Sequence, residues 1–377
     1  MQEASRYRPA TKKSELCEAR YTIWSLEQVV TKVGIRGGNQ LNSYRRTIDA
    51  IDHKKPDRVP VIPLIIQYAL NLSKISHREY SSNGRKLAEA QIQSLRRHQY
   101  DGIHITTDNQ IISEAFGCAI YLPHDEPPQY KSRVLGEAKD LSKLNRIDPL
   151  NSGRMPVILT ATRLAREELG NDYFIKTNCD SGPFSVAAAL RGEEQFFIDL
   201  YEDPQFALDL LDICSEAVIS YGKVIADHGA HGITFGDATS GLISREHYQQ
   251  FALPFARRVI SELRCTGLPV FYHICGNTTH ILDLMCDTGA DVLEIDHLVD
   301  LQFVRDTLGD KVCVEGNVDP TGILLQGTPS QVFEESLKCI EKAGQNGGLI
   351  LSSGCEVPRY TPPMNVDQLL AASRQDF

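Results

Sequence analysis

His273 and Cys275, in the run Phe271-Tyr272-His273-Ile274-Cys275-Gly276, and Cys355, in Ser353-Gly354-Cys355-Glu356, are residue types that bind a borderline or soft cation. Each follows an apolar run that reads as a buried strand, Pro269 to Tyr272 before the pair and Leu349 to Leu351 before Cys355. Alternate residues of a strand face the same way, so His273 and Cys275 aim at one point. One imidazole and two thiolates form a donor set that zinc prefers. Three protein ligands, unlike four, leave a coordination position for a substrate, as catalytic zinc sites do. Such a metal can activate water for hydrolysis or hold a substrate thiol as thiolate. Two cysteinate donors weaken its Lewis acidity and make a bound thiolate more nucleophilic, so the ligand types favour thiol alkylation over hydrolysis.

Other polar residues fall at the ends of predicted strands. Asp180 and Asp237 end the third and fourth candidates, where each could orient a substrate, take up a thiol proton, fix a ligand through a hydrogen bond, or simply cap a loop. Asn317, in Gly316-Asn317-Val318-Asp319-Pro320, is a better substrate-facing candidate than Asp319, which precedes a proline and shapes the turn. His104 ends the second candidate, whereas His98, His228, His231 and His247 lie on or beside helical patterns and read as packing or surface residues.

The elements that must position these groups alternate short apolar runs with amphipathic stretches from Ser43 onward, the pattern of parallel βαβ units. The strand candidates are Arg58–Ile65, Gly102–Thr106, Tyr173–Asn178, Gly232–Phe235, Pro269–Ile274, Val292–Ile295, Lys311–Glu315 and Leu349–Ser352. That number fits an α/β fold of the (β/α)8 TIM-barrel type, with a doubly wound sheet as the alternative. Helices are predicted over Arg85–His98, Pro204–His228, Arg245–Arg264 and Pro329–Ala343. Phe206, Leu210, Ile213, Ala217 and Tyr221 recur at the three- and four-residue spacing of a core-facing stripe. Residues 1–42 read as an N-terminal extension and 43–377 as one barrel domain. The stretch Asp108–Asp172, with Pro123, Pro127, Pro128 and Pro156, is too long for one crossover and predicts an insertion after the second strand. In a barrel the strand ends that carry His273, Cys275 and Cys355 meet at one mouth, so their separation in sequence does not prevent a shared site.

A formal net charge of −10 without a basic block argues against nucleic-acid binding, which needs clustered Lys and Arg. No apolar run approaches the length of a membrane span, and Met1 to Lys13 does not resemble a signal peptide, so a cytoplasmic protein is expected. In that reducing compartment most of the ten cysteines should be free thiols.

The runs His273-Ile274-Cys275-Gly276-Asn277-Thr278, Ile295-Asp296-His297, Gly316-Asn317-Val318-Asp319-Pro320 and Gly354-Cys355-Glu356-Val357-Pro358, followed by Thr361-Pro362-Pro363, resemble the methylcobamide:coenzyme M methyltransferases of the uroporphyrinogen decarboxylase superfamily. The resemblance extends from about Ser43 to the C-terminus and is most specific from Gly232 onward. It implies a (β/α)8 barrel and a zinc motif that carries onto His273, Cys275 and Cys355 without a mismatch. It also implies an acidic residue able to complete the zinc shell before thiol arrives. Asp296 is the candidate for that fourth ligand, and Glu294 is open to the same role by face.

The implied reaction moves methyl between a corrinoid (a methylcobamide) and a zinc-activated thiol such as coenzyme M. The corrinoid-binding pattern Asp-X-His-X-X-Gly does not occur, since Asp227-His228-Gly229-Ala230-His231-Gly232 has the wrong spacing. The methylated corrinoid is therefore expected as a co-substrate, carried by a partner corrinoid protein or free in solution. The residues that would bind it stay unassigned, and a homo-oligomer stays open. One alternative is a corrinoid-dependent demethylase passing methyl from a small methylated donor to a corrinoid protein. Another is a uroporphyrinogen decarboxylase, but the arginine-bearing run expected near its N-terminus is replaced by Val61-Ile62-Pro63-Leu64-Ile65-Ile66-Gln67-Tyr68. A non-catalytic zinc protein is a third reading, set against by a ligand set short of the four that close a structural site.

Overall fold

The computed structural model describes residues 41–375, so the predicted extension lies outside the described residues except at positions 41 and 42. Nine strands are assigned: β1 (Gly102–Ile105), β2 (Ala119–Tyr121), β3 (Gln129–Ser132), β4 (Phe174–Ser181), β5 (Gly232–Gly236), β6 (Val270–Ile274), β7 (Val292–Ile295), β8 (Cys313–Val318) and β9 (Leu349–Ser353). Seven of them form one sheet in the order β1-β4-β5-β6-β7-β8-β9, every neighbouring pair parallel. Parallel neighbours require crossovers, which helices such as Pro204–Asp227 and Pro329–Ala343 supply.

The first predicted strand, Arg58–Ile65, does not form a ladder. Pro60 and Pro63 have no N–H to give, so pairing shrinks to a single parallel bridge between Val61 and Leu351. The segment still occupies the eighth stave. Ile62 N–H donates to Leu351 O (3.0 Å), Leu351 N–H to Pro60 O (2.8 Å), and Asp101 N–H to Val61 O (2.7 Å), joining β9 to β1 and closing the barrel. Asp101, fully buried just before β1, locks this closure. It accepts from both terminal nitrogens of Arg58, from Arg46 Nη1 at 2.7 Å and from Val61 N–H at 2.8 Å.

The insertion after the second predicted strand is present. Helix Ile111–Phe116 leads into the antiparallel β2–β3 hairpin, whose loop holds Pro123, Pro127 and Pro128. The chain returns through helix Met155–Leu169, where Pro156 sits in the first turn and its missing N–H has no partner to lose. Helix Pro204–Asp227 buries Phe206, Leu210, Ala217 and Tyr221 as the stripe predicts. The predicted helix 245–264 is interrupted by a wide turn at Tyr248–Ala252 before it resumes at Leu253–Arg264.

Two layers fill the barrel interior. Its floor is apolar: Ile62, Phe174, Phe271, Val292, Cys313 and Ile350 pack together over Tyr44, Ile48 and Ile51 of helix Ser43–Ile51, which plugs the N-terminal end. Above it project His104, Lys176 and Thr234 from β1, β4 and β5 and, beyond β6, Glu294 and Glu315 from β7 and β8, all buried. Barrel cores are ordinarily built from branched aliphatic residues at these levels. The polar layer lies beneath the strand ends that carry the predicted ligands.

Candidate metal centre

His273 is the penultimate residue of β6, buried and inward-facing, and Cys275 follows the strand end directly. Cys355 lies just beyond the end of β9. The structure brings the three together: their ligand atoms lie within 4.8 Å of one another, with His273 Nε2 3.0 Å from Cys275 Sγ and the two sulfurs 3.9 Å apart. For a tetrahedral ion about 2.3 Å from each sulfur the expected sulfur separation is about 3.8 Å, so the donor set fits zinc in chemistry and in the spacing of its two sulfurs, while His273 Nε2 sits at hydrogen-bond distance from Cys275 Sγ. His273 Nδ1 lies 3.0 Å from the main-chain oxygen of Glu294, which can only accept. Nδ1 therefore carries a proton, and Nε2 is the nitrogen turned toward the thiols. Imidazole ligands are commonly fixed in this way by a carbonyl behind the ring.

Turns close around the centre. Gly276 has φ +86°, a conformation that favours glycine, and a Cβ at Gly354 would stand 2.4 Å from the His297 nitrogen. The hydrogen bond with Cys355 holds the Cys275 thiol below its ordinary value, and the same contact pushes Cys355 up. Burial opposes a charge on His273, but the contacts with Cys355 and Glu294 outweigh it and raise the ring to about 9.

Asp296 supports the centre from behind. Its Oδ2 accepts from Gly276 N–H at 2.8 Å, and its Oδ1 accepts from Leu298 N–H at 3.0 Å and lies 3.0 Å from His297 Nδ1. The trio that gathers in the structure does not include Asp296 or Glu294. Asn317 spends its amide on the carbonyls of Asp296 (3.0 Å) and Val299 (2.7 Å), holding the loop after β7.

Asp180 and Asp237 serve helix starts. Asp180 Oδ2 accepts from Ile112 N–H at 2.7 Å at the head of helix Ile111–Phe116, and Asp237 Oδ1 accepts from Ser185 N–H at 2.7 Å at the head of helix Pro183–Arg191. Burial pushes Asp180 up to about 7 and Asp237 up to about 6. Glu356, beside Cys355, accepts from Gln67 N–H at 2.8 Å and is raised by burial to about 7.

Of the polar residues near the centre, Lys176, Glu315 and a role for His297 were not singled out from the sequence, whereas His104 and Glu294 were. His297 packs over Gly354 and reaches toward Asp319 Oδ1 at 3.9 Å. Lys176 lies between Glu294 and Glu315, and both ring nitrogens of His104 lack a protein partner. The available signal was a charge inside an apolar strand run, as in Phe174-Ile175-Lys176-Thr177, Val292-Leu293-Glu294-Ile295 and Cys313-Val314-Glu315-Gly316. Among the described residues Cys118, Cys179, Cys214, Cys275, Cys286, Cys313, Cys339 and Cys355 are free thiols.

Comparison with known proteins gives this arrangement a family. The family model for uroporphyrinogen decarboxylase (URO-D) matches residues 42–375. A methylcobamide:CoM methyltransferase of Methanosarcina acetivorans is 30% identical over 278 residues, 73% of this chain and 80% of that protein. A uroporphyrinogen decarboxylase of Saccharophagus degradans is 27% identical over 301 residues, 77% of this chain and 83% of its own length. A solved methyltransferase structure from Methanosarcina mazei superposes with a TM-score of 0.81 at 25% identity, covering 89% of this chain and 98% of that one. The barrel, the extent of the match and these relatives place the chain in the uroporphyrinogen decarboxylase family, on its methylcobamide methyltransferase-like branch.

Proposed function

We propose that this protein is a zinc-dependent methyltransferase that moves a methyl group between a corrinoid and a thiol, with His273, Cys275 and Cys355 as the protein ligands. The convergence of one imidazole nitrogen and two sulfurs within 4.8 Å at the C-terminal face of the barrel carries this reading. Zinc held there would lower the pKa of an incoming thiol and keep it as the nucleophilic thiolate.

The chain's own residues prepare for that substrate. Glu294 O holds the His273 proton on Nδ1, so Nε2 is available as a donor. Asp296 ties the Cys275 turn to the loop after β7 through Gly276 N–H, and as the carboxylate anchored to that turn it is our candidate for a displaceable fourth ligand. The apolar floor closes the N-terminal end, leaving the mouth as the way in. The methyl-bearing corrinoid is the co-substrate, brought by a partner protein, and the thiol is a small one such as coenzyme M.

The decarboxylase relatives suggest a second reading, which fits less well. The Val61–Tyr68 segment is the eighth stave and buries Ile62, Ile65 and Tyr68, offering no arginine for an acidic macrocycle. Metal analysis of purified protein tests the proposal. We expect about one zinc per chain, as for a mononuclear catalytic site, and its loss in a Cys355→Ser variant that retains the wild-type circular dichroism. Full zinc retention in that variant would remove Cys355 from the ligand set.

A further inference from the structure

Apart from the Glu294 main-chain oxygen, the polar layer beneath the centre has no part in the function proposed above. Lys176 projects from β4 with none of its surface exposed, and its Nζ donates to Glu315 Oε1 at 2.5 Å and Glu294 Oε1 at 3.1 Å, across the barrel on β8 and β7. Its Nζ stands over the Phe271 ring of the floor, 5.1 Å from the ring centre. Thr234 on β5 donates a further hydrogen bond, 2.8 Å, to the same Glu294 oxygen. Burying an ammonium and two carboxylates in a barrel core is costly, and apolar residues of similar volume usually serve stability as well or better. The cluster therefore calls for a reason beyond packing.

That reason lies in Glu294, where the cluster and the metal centre meet. Glu294 is the register partner of His273 across β6 and β7, and its main-chain oxygen is the acceptor that fixes the His273 ring. Its side chain is the one gripped by Lys176 and Thr234. Glu315, the other carboxylate on Lys176, is the register partner of Glu294 on the next strand. One ammonium thus ties three strands together at the level of the carbonyl behind the ligand. Glu315 Oε2 lacks a protein partner, so Lys176 is the one cation shared by the two carboxylates, with Thr234 as a second donor to Glu294.

We propose that Lys176 is a positioning residue for the metal centre, a cross-barrel strut that sets the Glu294 carbonyl and through it the tautomer and orientation of His273. This rests on the zinc reading above for its consequence, but its structural core concerns only the chain's own residues. Supporting shells of this kind typically change metal affinity by about 10–100-fold when broken.

The test compares wild type with Lys176→Met, which keeps the length of the side chain and removes the charge. A second variant, Lys176→Met with Glu315→Gln, leaves one buried carboxylate in place of two and serves where the single variant does not fold. Two quantities are read on protein shown to be folded: zinc affinity by competition with a chromophoric chelator, and the His273 tautomer by 15N NMR of metal-free, histidine-labelled protein assigned with His273→Gln and held above the ring's value of about 9, where the imidazole is neutral. We expect zinc affinity to fall about 10–100-fold and the Nδ1–H signature of His273 to be lost or mixed. A folded variant with wild-type affinity and an unchanged His273 tautomer overturns the strut. So does failure of both variants to fold while Glu315→Gln alone folds, since Lys176 would then serve stability only. If wild type takes up no zinc, the zinc reading falls, while the His273 tautomer in the same samples still decides the strut.

Discussion

His273 and Glu294 are register partners on adjacent strands, and the imidazole Nδ1–H donates to the Glu294 main-chain oxygen at 3.0 Å. A side chain that could have turned either nitrogen toward the barrel mouth is thereby committed to presenting Nε2 to Cys275 and Cys355. The ligand is prepared by the sheet, and the loops contribute the two sulfurs.

Gly354 sets how closely one of those loops can approach. A methyl group there would meet the main-chain nitrogen of His297 at 2.4 Å, and backbone cannot step aside cheaply. Gly354→Ala should destabilise the fold by about 1–3 kcal/mol and shift Cys355 away from Cys275. Chemical denaturation and zinc content measured on the same sample check this, and unchanged zinc content would show that the loop tolerates the displacement.

Asp180 and Asp237 should make stability depend on pH. Burial raises their folded-state values to about 7 and about 6, above the ordinary carboxyl value they have when unfolded. Between those limits the folded state binds more protons than the unfolded state, so their contribution is fully present below the unfolded value and is lost as pH rises through about 6 to 7. Asp180→Asn should flatten this decline by on the order of a few kcal/mol across the window. Urea titrations of wild type and variant from acid to neutral pH measure it, and parallel curves would exclude Asp180 as a source.

Asp101 should matter for stability without touching the centre. Removing its carboxylate in Asp101→Ala strands Arg58 beside a buried cavity, takes one of the two carboxylates from Arg46, and leaves the Val61 N–H of the proline-bearing stave without its acceptor. The expected loss is about 3–5 kcal/mol, seen as a lower denaturation midpoint. Protein that remains folded should bind zinc as wild type does.

Much of this molecule is legible in its sequence, for identifiable reasons. The runs before His273 and Cys355 read as strands because burial on both faces makes them continuously apolar, and the barrel follows from how many such runs alternate with helical stripes. The stave at Val61 misleads: its composition is that of a strand, but Pro60 and Pro63 withhold the amides a ladder needs. Asp180, Asp237 and Asn317 fall at strand ends as active-site residues do; one oxygen of each aspartate is engaged by a helix start and the Asn317 amide by a loop carbonyl pair, partners that spacing alone does not reveal, while Asp180 Oδ1 and Asp237 Oδ2 have no protein partner. Lys176 and Glu315 are visible as charges in apolar runs, but only the closed barrel shows that they meet.

The central claim is most directly tested by incubating the zinc-loaded protein with methylcobalamin and a panel of thiols, coenzyme M, homocysteine and simple mercaptans among them, while following the cobalamin spectrum and the methylated product. The account predicts loss of the methylcobalamin absorbance with stoichiometric methylation of at least one thiol, abolished in Cys355→Ser. Persistence of methylcobalamin with every thiol, in protein shown to contain zinc, would contradict it.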